Sequence, residues 1–252
     1  MTEEYNEKSK MEEMPVRESG IRENLRQVEA NIQSACLRAG RSRNEVSLIA
    51  VSKTNPAARI REAYLLGQRE FGENRVKELL EKEAQLPQDI RWHLIGHLQT
   101  NKVRAVIDKT VLIHSIDSLK LADTIDFEAR KKQILVNGLL EINVAEESSK
   151  YGFYIDEISK ILNRLHQYKN LKIRGLMTVA PIVSDPEQNR GVFRRLKELS
   201  IDIKCKYADN MAMNILSMGM TGDYCVAIEE GATLVRIGTG IFGTRQIGER
   251  GE

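Results

Sequence analysis

A (β/α)8 barrel, the TIM-barrel architecture, is the fold that this sequence of 252 residues predicts, and three observations predict it. Apolar, often β-branched runs recur at 46–52, about 70–72, 91–95, 111–115, 138–144, 172–177, 213–218 and 233–237. Most gaps between them carry the three- and four-residue apolar spacing of amphipathic helices, and strands alternating with helices make a parallel sheet. The count of eight runs matches a closed barrel, whereas a doubly wound sheet normally has fewer strands.

The chain opens on residues 1–15, where Glu3, Glu4, Glu7, Lys8, Lys10, Glu12 and Glu13 crowd out apolar side chains. This stretch reads as a poorly ordered leader or the polar start of a helix. Ile21, Leu25, Val28, Ile32 and Ala35 then mark an amphipathic helix ending near Gly40. Standing before the first strand, this extra N-terminal helix is expected to pack over one end of the barrel. Between the later runs, Ile60, Ala63 and Tyr64 lead to Gly67, a natural helix stop, and Val76, Leu79 and Leu80 follow Glu73-Asn74. Further stripes are Leu121, Ile125 and Ala129; Ile158, Ile161, Leu162 and Leu165; and Val192, Phe193, Leu196 and Leu199. A last short helix falls between Gly219 and Gly231. No Gly-, Pro- or Ser-rich linker divides residues 16–252, which are therefore read as one barrel domain.

Composition bounds the function. Apolar residues make up 41% and charged residues 29%, and the net charge is only +2, which does not argue for a nucleic-acid surface. Cys36, Cys205 and Cys225 are odd in number and widely spaced, so they suit neither a disulfide framework nor a metal site and suggest a reducing, cytoplasmic compartment. No apolar run reaches the roughly 18 residues of a membrane span, and the first 20 residues lack a signal-peptide core.

In a barrel, chemistry gathers just after the strands. Those positions hold Lys53, Glu73-Asn74, Gly96 to Asn101, Ser115, Asn143, Met177-Thr178, Ser217 to Thr221 and Gly238-Thr239-Gly240. Lys53 ends Leu48-Ile49-Ala50-Val51-Ser52, where a lysine is able to act as a base or form a Schiff base, or simply to reach water. Ser217-Met218-Gly219-Met220-Thr221 and Gly238-Thr239-Gly240 follow the last two strands, the usual phosphate position in barrels. Glycines there let backbone N–H groups approach an anion, although they also serve tight turns. Arg236 stands two residues before Gly238 and so on the same strand face; it meets either a ligand acceptor or a barrel carboxylate such as Glu141. His93 and His97 are four apart, but on a strand and its turn, without the glutamate of a zincin helix; no metal is expected. Glu73-Asn74 also suits the N-terminus of the following helix. A lysine facing a phosphate nest suggests two classes, an aldolase-like Schiff-base enzyme on a sugar phosphate or a pyridoxal-phosphate protein.

Longer motifs favour the second. Ala50-Val51-Ser52-Lys53-Thr54, Phe71-Gly72-Glu73-Asn74, Trp92-His93-Leu94-Ile95-Gly96-His97-Leu98-Gln99, Gly175-Leu176-Met177-Thr178, Leu216-Ser217-Met218-Gly219-Met220 and Val235-Arg236-Ile237-Gly238-Thr239 occur in that order. From about residue 18 onward the chain resembles the YggS-like pyridoxal-phosphate homeostasis proteins, related in fold to the N-terminal barrel of alanine racemases. The resemblance implies a fold type III barrel with pyridoxal 5'-phosphate as a Schiff base on Lys53. It also implies phosphate contacts from Ser217, Gly238 and Thr239 helped by Gly219, Arg236 against the pyridine nitrogen, and Asn74 near the ring, with His97 and Met177 as further neighbours. Glu146 to Gly152 and Met220-Thr221 depart slightly from the family wording, and the site is expected intact.

Racemases take a second base from an additional C-terminal domain and its dimer partner; this sequence ends after the barrel, so no catalytic residue and a monomer are expected. The family is described as regulating pyridoxal phosphate and amino- and keto-acid balance, with dependent apoenzymes as partners and without established turnover. A slow racemase or decarboxylase using the same cofactor is the alternative.

Overall fold

The computed structural model describes residues 20–147, 150–206 and 213–244; the expected leader over residues 1–15 lies outside them. Eight parallel strands pair in sequence order and close into a barrel. They are β1 (Ser47–Val51), β2 (Glu70–Glu73), β3 (Arg91–Leu94), β4 (Leu112–Ile116), β5 (Val136–Glu141), β6 (Leu171–Met177), β7 (Ile215–Met220) and β8 (Leu234–Ile237). The seam pairs Leu48 with Val235 and Ala50 with Ile237. Every strand overlaps its predicted run.

Around the barrel lie α1 (Gly20–Arg38), α2 (Ala57–Leu65), α3 (Val76–Glu83), α4 (Val103–Val106), α5 (Leu119–Lys132), α6 (Ile158–Leu165), α7 (Arg190–Lys206), α8 (Tyr224–Glu229) and α9 (Thr239–Phe242). Only four residues long, α4 carries too little periodicity to be seen in the sequence. The three- and four-residue stripes bury as expected: Ile158, Ile161, Leu162 and Leu165 all turn inward from α6.

The N-terminal helix corrects one expectation. It does not cover a barrel end but lies along the side, against α8 and α9. Asn24 Nδ2 donates to the Ile241 carbonyl at 2.9 Å, and further down Asn31 Nδ2 donates to the Tyr224 hydroxyl at 2.9 Å. Beyond the helix, Arg41 donates at 2.8 Å to the carbonyls of Ile228 and Ala232. The reason is topological. Among the described residues only the single turn α9 follows β8, and α1 covers the flank that an eighth barrel helix normally covers. Its Ile21, Val28 and Ile32 are buried there, each worth about 1.5–3 kcal/mol of transfer free energy.

Two cores result. The larger lies between strands and helices; a smaller one inside the barrel comprises Ile49, Leu112, Leu139, Met177 and Leu234. Beside this inner cluster, His93, His114, Ser217 and Arg236 are also buried.

Candidate functional site

The strand carboxyl ends open onto one face, where β1 delivers Lys53. The chain turns sharply there: the Asn55 N–H donates to the Ser52 carbonyl at 3.0 Å, and Thr54 adopts a left-handed φ of 64°. A non-glycine residue in that region is held by its surroundings. Here Glu78 on α3 supplies the hold, accepting the Thr54 N–H at 2.5 Å. Lys82, one helical turn later, is buried and donates to Glu78 Oε1 and Glu73 Oε1 at 2.6 Å and to the Ser52 carbonyl at 2.8 Å. Ser52 Oγ in turn donates to Glu73 Oε1 at 2.6 Å. Burial pushes the fully buried Glu73 carboxyl above the usual range although Lys82 and Ser52 oppose this, and its Oε2 has no partner. Glu73 thus braces the Lys53 turn rather than capping α3, whose N-cap position is Arg75.

The Lys53 side chain is half-buried and lines a cavity of about 620 Å³ together with Gly238 and Thr239. No ion pair or side-chain hydrogen bond engages its amine among the described residues. Gly238 caps α9, its carbonyl accepting the N–H groups of Ile241 and Phe242 at 2.9 Å. The first amides of such a turn have no acceptor within it. The Gly240 N–H reaches Thr221 Oγ1 at 3.3 Å, so the loops after β7 and β8 do stand side by side. Gly219 has φ +89°, and a Cβ there would meet Ala227 Cβ at 2.6 Å and Tyr224 Cα at 2.9 Å; packing of α8 requires this glycine. Asn74 is half-buried beside Gly96, where a Cβ would fall 2.6 Å from the Asn74 carbonyl oxygen.

Arg236 lies deeper, 4% exposed, and donates to Ser217 Oγ and, at 2.8 Å, to the Thr178 carbonyl. It makes no direct ion pair with Glu141, which acts on it only through its field. Burial lowers the guanidinium to about 10, offset in part by Glu141 and Asp223, so it stays charged at neutral pH. Burial raises the Glu141 carboxyl to about 7; the Asp117 charge adds to this and Arg236 opposes it.

Ser217, expected to contact a phosphate, is engaged by other groups of the barrel interior. It is fully buried, does not line the Lys53 cavity, and its oxygen is bonded to Arg236 and, at 2.8 Å, to His114 Nδ1. The two histidines of the third motif separate. His93 points inward, with Nδ1 2.9 Å from His114 Nε2 and Nε2 2.5 Å from Glu70 Oε2. His97 points outward, bonded to Asp117 at 2.7 Å and stacked on Tyr151 with ring centroids 4.2 Å apart. Glu70, His114, Glu78 and Lys82 were not singled out from sequence. The available signals were a histidine inside the apolar strand Leu112–Ile116 and a Glu–Lys pair four apart on α3.

In sum the face offers a half-buried amine, a glycine loop with free amides and a hydroxyl, and a buried guanidinium. Such a set suits a carbonyl compound that also carries an anion and a hydrogen-bond acceptor.

Comparison with known proteins agrees with this reading of the fold. The alanine racemase N-terminal domain family model matches residues 24–246. A pyridoxal phosphate homeostasis protein of Aquifex aeolicus is 46% identical over 225 residues, which is 89% of this chain and 98% of the relative. That of Escherichia coli K12 is 36% identical, covering 91% and 99%. Among solved structures, PipY of Synechococcus elongatus with PLP bound is 36% identical with a TM-score of 0.77, covering 88% of this chain and all of the other. Alanine racemase of Clostridium difficile, at 16% identity and a TM-score of 0.68, shares the fold. The chain belongs to the pyridoxal phosphate homeostasis protein family, whose barrel is that of the alanine racemase N-terminal domain.

Proposed function

We propose that this protein binds pyridoxal 5'-phosphate through Lys53 and serves cofactor homeostasis rather than turnover. The observation that carries this reading is the shared cavity: the unengaged Lys53 amine and the Gly238-Thr239 loop line one space of about 620 Å³. When bound, the cofactor supplies an aldehyde for a lysine amine and a ring able to accept electrons. Lys53 would hold the aldehyde carbon. The Gly238 and Thr239 amides, with the Thr239 hydroxyl, would take the phosphate, and Gly219 keeps the neighbouring loop close. Arg236 would donate to the ring nitrogen; keeping its own proton, it leaves that nitrogen unprotonated and the ring a weaker electron sink. Asn74 would border the ring. Ser217 serves Arg236 first, as an acceptor that orients the guanidinium.

A second reading, slow proton-transfer catalysis on amino acids, draws support from Glu141, a buried carboxyl with a pKa of about 7 near Arg236. Glu141 lines a different cavity, of about 200 Å³, with Tyr151 and Lys150, which favours the first reading. The relatives' function in homeostasis supports delivery of the cofactor to apoenzymes, and three unpaired cysteines support a reducing, cytoplasmic setting. Among the described residues no helix is long and apolar enough to cross a membrane.

The test is a titration of the purified protein with pyridoxal phosphate, followed by visible absorbance. A saturable new band, absent in Lys53→Ala, is expected; no band in the wild type would exclude the cofactor. An amino-acid panel then decides the second reading, which requires turnover above that of Lys53→Ala and loss of it in Glu141→Gln.

A further inference from the structure

A line of hydrogen bonds crosses the barrel interior from Arg236 at the cofactor face to Glu70 at the opposite rim. Its links are Arg236 to Ser217, Ser217 to His114 at 2.8 Å, His114 to His93 at 2.9 Å, and His93 to Glu70 at 2.5 Å. Ser217, His114, His93 and Arg236 are buried, while Glu70 is half-buried at the start of β2 and lines a cavity of about 500 Å³ at the amino-terminal end.

With both histidine rings neutral, the two ends dictate the direction of every bond between them. A guanidinium has only donors, so Ser217 Oγ must accept from Arg236. At the other end Glu70 is an acceptor: despite burial, bonds from His93 and Arg91 hold its carboxyl below the usual range. His93 therefore gives the proton on Nε2 to Glu70, and as a neutral ring it presents a bare Nδ1. His114, kept neutral by burial with the Arg236 charge acting in the same sense, must then carry its proton on Nε2 and accept through Nδ1. Ser217 consequently gives its hydroxyl proton to His114. Each group has one role, and the chain is polarised from arginine to carboxylate. Because Arg236 keeps its proton at neutral pH, the line fixes orientation and is not a path for proton release.

We infer that Glu70 is a positioning residue for the cofactor site, acting across the barrel by setting both histidine tautomers and thereby the acceptor that aligns Arg236. Without its carboxylate the two histidines lose their common direction, His114 is free to donate to Ser217, and the serine proton turns elsewhere. This rests on the cofactor reading for its consequence but not for its geometry, and the experiment separates the two.

The experiment begins with nitrogen–proton correlation spectra of the ring nitrogens of the four histidines, recorded on the cofactor-free wild-type protein. Both His93 and His114 are expected as the Nε2–H tautomer, and a proton on His114 Nδ1 would overturn the inference. In Glu70→Leu the single tautomers are expected to give way to mixtures, with pyridoxal phosphate affinity falling about 10-fold or more, as when an outer partner of a ligand-holding group is removed. Glu70→Gln keeps an acceptor oxygen and is expected to restore the tautomers and most of the affinity. Wild-type tautomers and affinity in Glu70→Leu would refute the role of Glu70. Failure of the wild type to bind pyridoxal phosphate would count against the cofactor reading, while the tautomers of the wild-type protein still decide the polarised line. Should Glu70→Leu not fold, the wild-type spectrum and Glu70→Gln decide it.

Discussion

Glu141 and Arg236 are both buried in the barrel, and burial tunes their charges more than direct contact does. A carboxyl raised to about 7 binds an extra proton in the native state between pH values of about 4.5 and 7. Native stability from this residue is therefore greatest at the lower end of that window and falls as pH rises through it, by about 3 kcal/mol in total. Glu141→Gln removes the loss. Urea denaturation of the cofactor-free proteins at several pH values is expected to show the variant gaining relative to wild type as pH rises toward 7, then holding constant. Equal curves would mean that Glu141 is ionised throughout. His114 works in the opposite sense. Held well below 6.5 by burial, it makes the protein less stable as pH falls under that value, and subtracting variant from wild type cancels its contribution.

At the scale of elements, the turn after β1 owes its shape to α3. Lys82 pairs with both Glu73 and Glu78 and also binds the Ser52 carbonyl, tying the turn to the helix. Lys82→Ala would leave Glu73 buried without a counter-charge, a loss of about 3–5 kcal/mol that chemical denaturation would register. Unchanged stability would contradict the bracing role. Gly219→Ala meets both a left-handed backbone and the α8 packing, so a loss of about 1–3 kcal/mol is expected in the same measurement. These elements also show where sequence reading ends. Lys53, Gly238 and Thr239 were legible because strand ends are marked by local pattern, and a barrel brings all such ends to one face. The line through His93, His114 and Ser217 was not, since its partners lie as far as 103 residues apart and meet only through strand register. The glycine-rich surroundings of Ser217 are legible in the sequence, while its burial beside Arg236 is a property of the closed sheet.

For the whole molecule, the strand and helix rhythm sufficed to identify the barrel, because period two and period 3.6 patterns act within one element. Which flank each helix covers is a tertiary matter, and α1 was assigned to an end when it in fact completes the side. Deleting residues 1–40 would uncover the flank of α8 and α9 and break the Asn24 and Asn31 bonds. Loss of cooperative thermal unfolding is expected; a truncated protein that still melts as one unit would show α1 to be dispensable. The central claim is that one lysine of this barrel anchors pyridoxal phosphate. It is tested most directly by loading the protein with the cofactor, reducing it with borohydride and mapping the modified peptide by mass spectrometry. The adduct is expected on Lys53 alone; an unmodified Lys53, with label elsewhere or absent, would contradict it.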